Sequence, residues 1–280
     1  MTIAVEKLPG TVSGATGLTR TQTDKRKALG RVPGIACWVE GDTNLVNDFT
    51  VGAEHVYTAA GGPGVWTYFS QNTKETELIT GTDSQKALRI GWDDVGDTAG
   101  RTQDFANFAG IASPAGVTIL PTGSYSVFLV TSVEAAGTII ANRSIVANEQ
   151  FHIQCNNGQL RVYQNGALAC YYTTVDIRDN VTRAWEVHYD ADTQIQTLYL
   201  NGALVDTRTG IAAIPSTTNA AYEIGIGAQT DSLGRGLNRG ALDLYALGIF
   251  DRNLSDAAET ANFATVMAYL DEKFPSLSLV

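Results

Sequence analysis

The sequence predicts an all-β protein: an antiparallel sandwich or jelly roll with an extended N-terminal arm and one C-terminal amphipathic helix. Three observations carry this prediction. Only 17% of the 280 residues are charged while 44% are apolar, and Gly is abundant at 28 residues. That is the composition of a turn-rich β protein with a full-sized core. Short apolar runs are punctuated by explicit hairpin turns, Asn156-Asn-Gly158, Asn165-Gly166 and Asn201-Gly202. Asn-Gly tolerates the positive φ angles that a tight hairpin needs. A single helical stripe appears, near the end of the chain.

The candidate strands cover 65–69, 87–91, 105–111, 125–133, 138–141, 150–155, 159–164, 167–173, 184–190, 195–200, 203–207, 222–228 and 241–250. Most are bounded by Gly, Asn, Asp or Thr. The run from Phe151 to Tyr172 reads as a three-stranded meander. Residues 40–64 and 70–104 are less regular and read as early sandwich strands with long loops. The helix is expected over 255–274. Ser255 can cap its first turn, Phe263, Val266, Met267, Leu270 and Phe274 form one stripe, and Pro275 stops it. Such a helix should pack on the side or edge of the sandwich.

Charge divides the chain into an arm, residues 1–33, and a sandwich domain, 34–280. The arm holds Lys7, Arg20, Lys25, Arg26, Lys27 and Arg31 against Glu6 and Asp24, a net +4. The total of −10 therefore leaves −14 on the body. An acidic body argues against general nucleic-acid binding. The arm can serve as an assembly anchor on an acidic neighbour, touch nucleic acid, or be a solvated tail. The N-terminal residues lack the basic start and apolar run of a secretory leader, and no apolar stretch is long enough to span a membrane. Cys37, Cys155 and Cys170 are odd in number and unpatterned, which fits small buried residues in a reducing compartment.

Trp185-Glu-Val-His-Tyr-Asp190 followed by Thr197-Leu-Tyr-Leu-Asn-Gly-Ala-Leu-Val205 alternates apolar and polar residues across two strands and two turns. This pair resembles the signature of laminin-G-like, concanavalin-A-like domains, of the kind found in bacteriophage virion surface proteins. Tyr222-Glu-Ile-Gly-Ile-Gly-Ala resembles that family's next core strand. The run from Leu242 to Asp256 resembles its closing strand, turn and helix start. The resemblance covers about residues 124–273. It implies a two-sheet antiparallel jelly roll, a fold shared by lectins, adhesion modules, glycosidases, lyases and viral surface proteins, so function has to be argued from sites.

Glycosidases of this fold set carboxylates at alternating positions of one strand, and no such run is present. Glu186 and Asp190 share a strand face with His188 between them, which reads as a solvent-facing polar stripe. His188 with Tyr199 or Tyr163 imitates the residues of lyases of this fold, without a basic partner. The reading is therefore not an enzyme, with no catalytic residues. The family resemblance implies a Ca²⁺ ion at the sandwich rim, and Asp93, Asp94 and Asp97 in one Gly-containing loop are its first candidates, ahead of Asp190 and Asp192. Trp92, beside that loop, is the candidate ligand-binding aromatic. Trp38, Trp66 and Trp185 read as core, with Tyr163, Tyr171 and Tyr172 as further aromatics. Asn107, Asn142 and Arg143 are polar side chains available to a sugar.

The function this implies is a non-enzymatic structural protein of a bacteriophage virion surface: a capsid decoration, head-fibre or tail-associated protein. Its partners would be other virion proteins, reached through the arm, and host-surface glycans. No membrane partner is implied, and a homo-oligomer is compatible with it. The alternatives are a secreted bacterial carbohydrate-binding lectin module and, behind it, an endoglycosidase or polysaccharide lyase.

Overall fold

Strands follow from alternation and end where Asn-Gly or Gly breaks it, and a computed structural model shows how they pair. It describes residues 24–40, 54–55, 66–70, 77–79, 87–90, 109–112, 122–144, 147–214, 224–227, 229–230, 236–237 and 240–279. A short helix, α1 (Asp24–Leu29), precedes β1 (Ile35–Glu40), β2 (Glu54–His55), β3 (Trp66–Ser70), β4 (Glu77–Ile79), β5 (Ala87–Ile90) and β6 (Ala109–Ala112). Then come β7 (Tyr125–Ala135), β8 (Gly137–Ser144), β9 (Ala147–Asn156), β10 (Gln159–Gln164), β11 (Ala167–Tyr172) and β12 (Arg183–Asp190). The chain continues through β13 (Ile195–Leu200), β14 (Ala203–Arg208), β15 (Ile224–Ile226), β16 (Gln229–Thr230), β17 (Gly236–Leu237) and β18 (Ala241–Phe250) to helix α2 (Thr260–Lys273).

Two antiparallel sheets form a jelly-roll sandwich. The first runs β14-β13-β12-β7-β18-β5-β4, with β1 beside the second half of β18. The second runs β11-β10-β9-β8-β15-β6-β3-β2. The predicted hairpin of β12 and β13 is present in register, Trp185 opposite Leu200 and Asp190 opposite Ile195. The next turn, from β13 into β14, needs left-handed backbone, and Asn201 (φ 49°) and Gly202 (φ 80°) supply it.

Alternate residues of the same strands feed two apolar layers. Between the sheets, Tyr125, Val127 and Leu129 of β7 and Trp185, Val187 and Tyr189 of β12 meet Phe151 and Ile153 of β9 and Leu160 and Val162 of β10. On the opposite side of the first sheet, Trp38, Phe128, Val130 and Phe250 meet Val266, Met267, Tyr269 and Leu270 of α2. Helix α2 thus lies across a sheet face rather than along the side or edge expected from sequence. Trp38 packs edge-on against Phe250 and Tyr269, at 6.1 and 5.8 Å between ring centroids. Gly248 lies directly beneath the Trp38 ring, where any Cβ would collide.

The ends of α2 also differ from expectation. Asp256, not Ser255, caps the entry: its side chain accepts from Ala258 N–H at the start of a single 3₁₀ turn, Ala257–Glu259. Helix α2 ends at Lys273, two residues before Pro275, which also opens a second 3₁₀ turn. Residues 24–32, in the segment read from sequence as the arm, touch α2. Leu29 and Val32 are buried in the α2 layer, and Lys25 Nζ lies 3.5 Å from Glu272 Oε2. Arg31 is exposed at the turn after α1. Lys7, Arg20 and the side chains of Arg26 and Lys27 lie outside the described residues.

Candidate functional site

Two polar clusters stand out, one on the outer face of each sheet. On the first sheet, β12 turns Glu186 and His188 outward. They are not the solvent-facing stripe expected from sequence, because α2 covers them and their side chains are 1% and 0% exposed. Ser126 Oγ lies 2.8 Å from His188 Nδ1, and His188 Nε2 lies 3.7 Å from Glu186 Oε2. The order Ser, His, carboxylate resembles a nucleophilic triad. Its hydrogen bonds say otherwise. Ser126 Oγ donates its one proton to Arg252 O at 2.9 Å and accepts from Leu254 N–H at 2.8 Å. His188 Nδ1–H is then the donor to Ser126, so this histidine cannot act as its base. Glu186 Oε1 accepts from Gly202 N–H at 3.1 Å. Phe128, Tyr199 and Phe263 enclose the imidazole edge-on. The cluster ties β7, β12 and the turn into α2 together, and a substrate has no path to Ser126. The same enclosure removes His188 with Tyr199 as a lyase-like pair.

The second sheet is arranged differently. β9 turns Phe151, Ile153 and Cys155 into the core, which puts His152 and Gln154 on the outer face. β10 buries Leu160 and Val162 and leaves Gln159, Arg161 and Tyr163 half-buried outside. Register sets Tyr163 opposite His152, and Arg161 between Gln154 on one side and Tyr171 on the other. The His152 and Tyr163 rings stack at 4.4 Å, tilted by only 7°. His152 is 2% exposed, so Tyr163 is the outward ring of the pair. Arg161 donates to Gln159 Oε1 through Nε at 3.2 Å and Nη2 at 2.8 Å, and its Nη1 lies 3.5 Å from Tyr163 OH. The Arg208 guanidinium sits 4.5 Å over the Tyr171 ring. Asp206 fixes that corner, taking Tyr171 N–H at 3.0 Å and Arg208 Nε at 3.1 Å. Exposed Leu168 extends the apolar part of the face along β11.

Stacked aromatic rings beside planar amide and guanidinium groups suit a ligand with apolar C–H faces and polar edges. Tyr163 and Tyr171 are among the aromatics singled out from the sequence. Arg161, Gln159 and His152 were missed. Their signal was the alternation of β9 and β10, which becomes a site only once register pairs the strands.

The other candidates fall as follows. Trp92, Asp93, Asp94 and Asp97 lie outside the described residues. Asp190 closes its own turn, accepting from Asp192 N–H at 2.9 Å and Thr193 Oγ1 at 2.8 Å, and the Thr193 hydroxyl holds its carboxyl below the usual range. Among the described residues no group of three His, Cys, Asp or Glu side chains could hold a metal. Trp38 and Trp185 are buried as expected. Asn142 is buried at 1% exposure and cannot meet a surface ligand, while Asn107 and the Arg143 side chain lie outside the described residues. Cys155 and Cys170 are buried thiols, and burial pushes Cys170 up to about 12, which suits inert core residues.

No family model matches the chain, and no curated protein matches it in sequence. Solved structures do. One is the binding domain of Paraclostridial Mosquitocidal Protein 1, at 13% identity and TM-score 0.52, covering 83% of this chain and 54% of that one. Another is a tryptophan-to-alanine mutant of HCR/D, at 13% identity and TM-score 0.52, covering 83% and 53%. A third is botulinum neurotoxin type C, whose cell entry depends on interaction with two ganglioside molecules, at 14% identity and TM-score 0.49, covering 79% and 51%. This chain therefore spans about half the length of the structures it matches. The likeness is one of fold: a two-sheet antiparallel β-sandwich.

Proposed function

We propose that this protein is a non-enzymatic glycan-binding β-sandwich that works on the surface of a bacteriophage particle. The observation that carries the glycan reading is the outer face of the second sheet. There Tyr163, stacked on His152, stands beside Arg161 and Gln159 and within one strand of Tyr171. Sugars offer C–H faces that pack on aromatic rings and hydroxyls that pair with planar polar groups. The sandwich fold, shared with a toxin's binding domain, is a suitable scaffold for such a surface. The enclosure of Ser126 and His188 favours binding over catalysis.

The particle reading draws on charge. An acidic body whose N-terminal segment carries Lys7 and Arg20 suits docking on an acidic capsid or tail surface. Mass spectrometry of purified particles tests it: the chain should be found there. Absence from particles, with glycan binding intact, would move the protein to the secreted-lectin alternative. A glycan array tests the binding itself. Binding is expected, and Tyr163→Ala should weaken it by about five- to tenfold, a stacking contribution of about 1–1.5 kcal/mol. An array on which Tyr163→Ala binds as well as the parent would remove this face as the site. Repeating it with EDTA tests the Ca²⁺ role proposed for Asp93, Asp94 and Asp97, which predicts loss of binding.

A further inference from the structure

We infer that the outer face of the second sheet selects an anionic sugar, with Arg161 receiving its carboxylate or sulfate. The inference rests on the glycan-binding reading above and adds the ligand's charge. Its first ground is the pairing of cations in an acidic chain. Arg178, Arg183, Arg208 and Arg252 each lie within 3.5 Å of a carboxylate. Arg161, on β10 beside the edge strand β11, has no carboxylate within ion-pair distance among the described residues, and neither does Arg31 at its exposed turn. Of the two, only Arg161 is embedded in an ordered polar and aromatic surface.

The second ground is how Arg161 is held. Gln159 Oε1 takes both Nε and Nη2, which fixes one edge of the guanidinium plane. Nη1 reaches toward Tyr163 OH at 3.5 Å, a long contact. A guanidinium carries five N–H donors in a rigid fork, so the Nη1–Nη2 edge keeps one donor on each nitrogen. Two parallel N–H groups are the fork that a carboxylate or sulfate accepts in bidentate fashion. Gln159 is the positioning residue: a neutral amide oxygen orients the fork without cancelling its charge. An aspartate or glutamate in its place would have done both.

The third ground is the neighbourhood. Arg208 beside Tyr171 is already balanced by Asp206. Among the described residues, the unbalanced charge on this part of the face is therefore that of Arg161, next to the Tyr163 ring that would pack against the same sugar.

The test measures affinity by calorimetry for three probes: oligogalacturonate, a sulfated galactose oligosaccharide and the neutral galactose oligosaccharide of the same length. Expected is binding of at least one anionic probe about tenfold or more above the neutral one, weakening as salt rises. The two anionic arms tell carboxylate from sulfate. Arg161→Gln should abolish the preference and leave neutral binding in place. Arg161→Lys should recover only part of it, because the charge returns without the fork. Equal affinity for charged and neutral probes overturns the inference and leaves the glycan reading standing. An anionic preference that survives Arg161→Gln also overturns it. Failure of all three probes, together with a blank glycan array, overturns both.

Discussion

Each sheet presents a histidine beside a tyrosine on its outer face, and the two faces have opposite fates. On the first, His188 meets Tyr199, Phe128 and Phe263 edge-on beneath α2, and its hydrogen bond goes to Ser126. On the second, His152 lies flat against Tyr163 and the row beside it, Gln159 and Arg161, remains half open. Residue types that could build a site are used for cohesion on one face and left available on the other. What separates them is the layer above. A helix that buries a polar row closes it to ligands, whereas an uncovered row stays within their reach.

The strongest way to break this comparison is to attack what holds the helical layer down. Trp38→Ala empties the space between Phe250 and Tyr269 and should cost about 3–5 kcal/mol in denaturant unfolding. Tyr163→Ala, which removes a comparable ring from the open face, should cost no more than about 1 kcal/mol. Equal losses would mean that the second face is structural too. Next in size is Ser126→Ala, which deletes a hydroxyl engaged by His188, Leu254 N–H and Arg252 O. A loss of about 1–3 kcal/mol is expected, since two buried donors lose their acceptor. A stability within about 0.5 kcal/mol of the parent would contradict the role given to this cluster.

The smallest effect sharpens the comparison at its rim, where β12 begins. Arg183 forks onto Asp179, Nη1 to Oδ1 at 2.7 Å and Nη2 to Oδ2 at 2.8 Å, and holds that carboxyl down from 3.8 to about 2. A depressed carboxyl stabilises the fold above its unfolded pKa, and the gain disappears as pH falls through the folded value. The window is therefore from about pH 4 down to pH 2. Asp179 is 41% exposed, so solvent screening limits the contribution to less than about 1 kcal/mol. Asp179→Asn should flatten the acid limb of stability between those pH values and change little near neutrality. An unaltered acid limb would assign it to other carboxyls.

Much of the sandwich was legible in the sequence because its turns are chemically explicit. Asn157, Asn165 and Asn201 all adopt the positive φ that their Asn-Gly contexts announce. The strands between them, β10 and β13, match expectation to the residue. The stripe of α2 was legible as well, but its destination was not. Periodicity shows that a helix has an apolar side without showing which surface it covers. The missing clue was in β7, where Val127 and Leu129 face one layer while Phe128 and Val130 face another. A strand apolar on both sides must be covered on both. In β18 the same duplication is blurred by a bulge between Leu244 and Ala246, which resets the alternation. α1 spans only six residues, too few to establish a period. The Arg161 face was hidden for another reason: no sequence pattern states that residues 152, 161 and 171 stand side by side, because that is a property of register.

The pairing of β1 with β18 sets a rule for how this protein comes into being. Residues 35–40 hydrogen-bond to residues 246–250, and Lys25 reaches Glu272. During synthesis the earlier partners must wait, exposed, for more than two hundred residues to be made. Such distant pairing is slow and leaves an apolar strand available to wrong partners meanwhile. The helical layer over Trp38 therefore assembles only after β18 and α2 have been made, and yield on expression should depend on how quickly residues 241–273 follow β1.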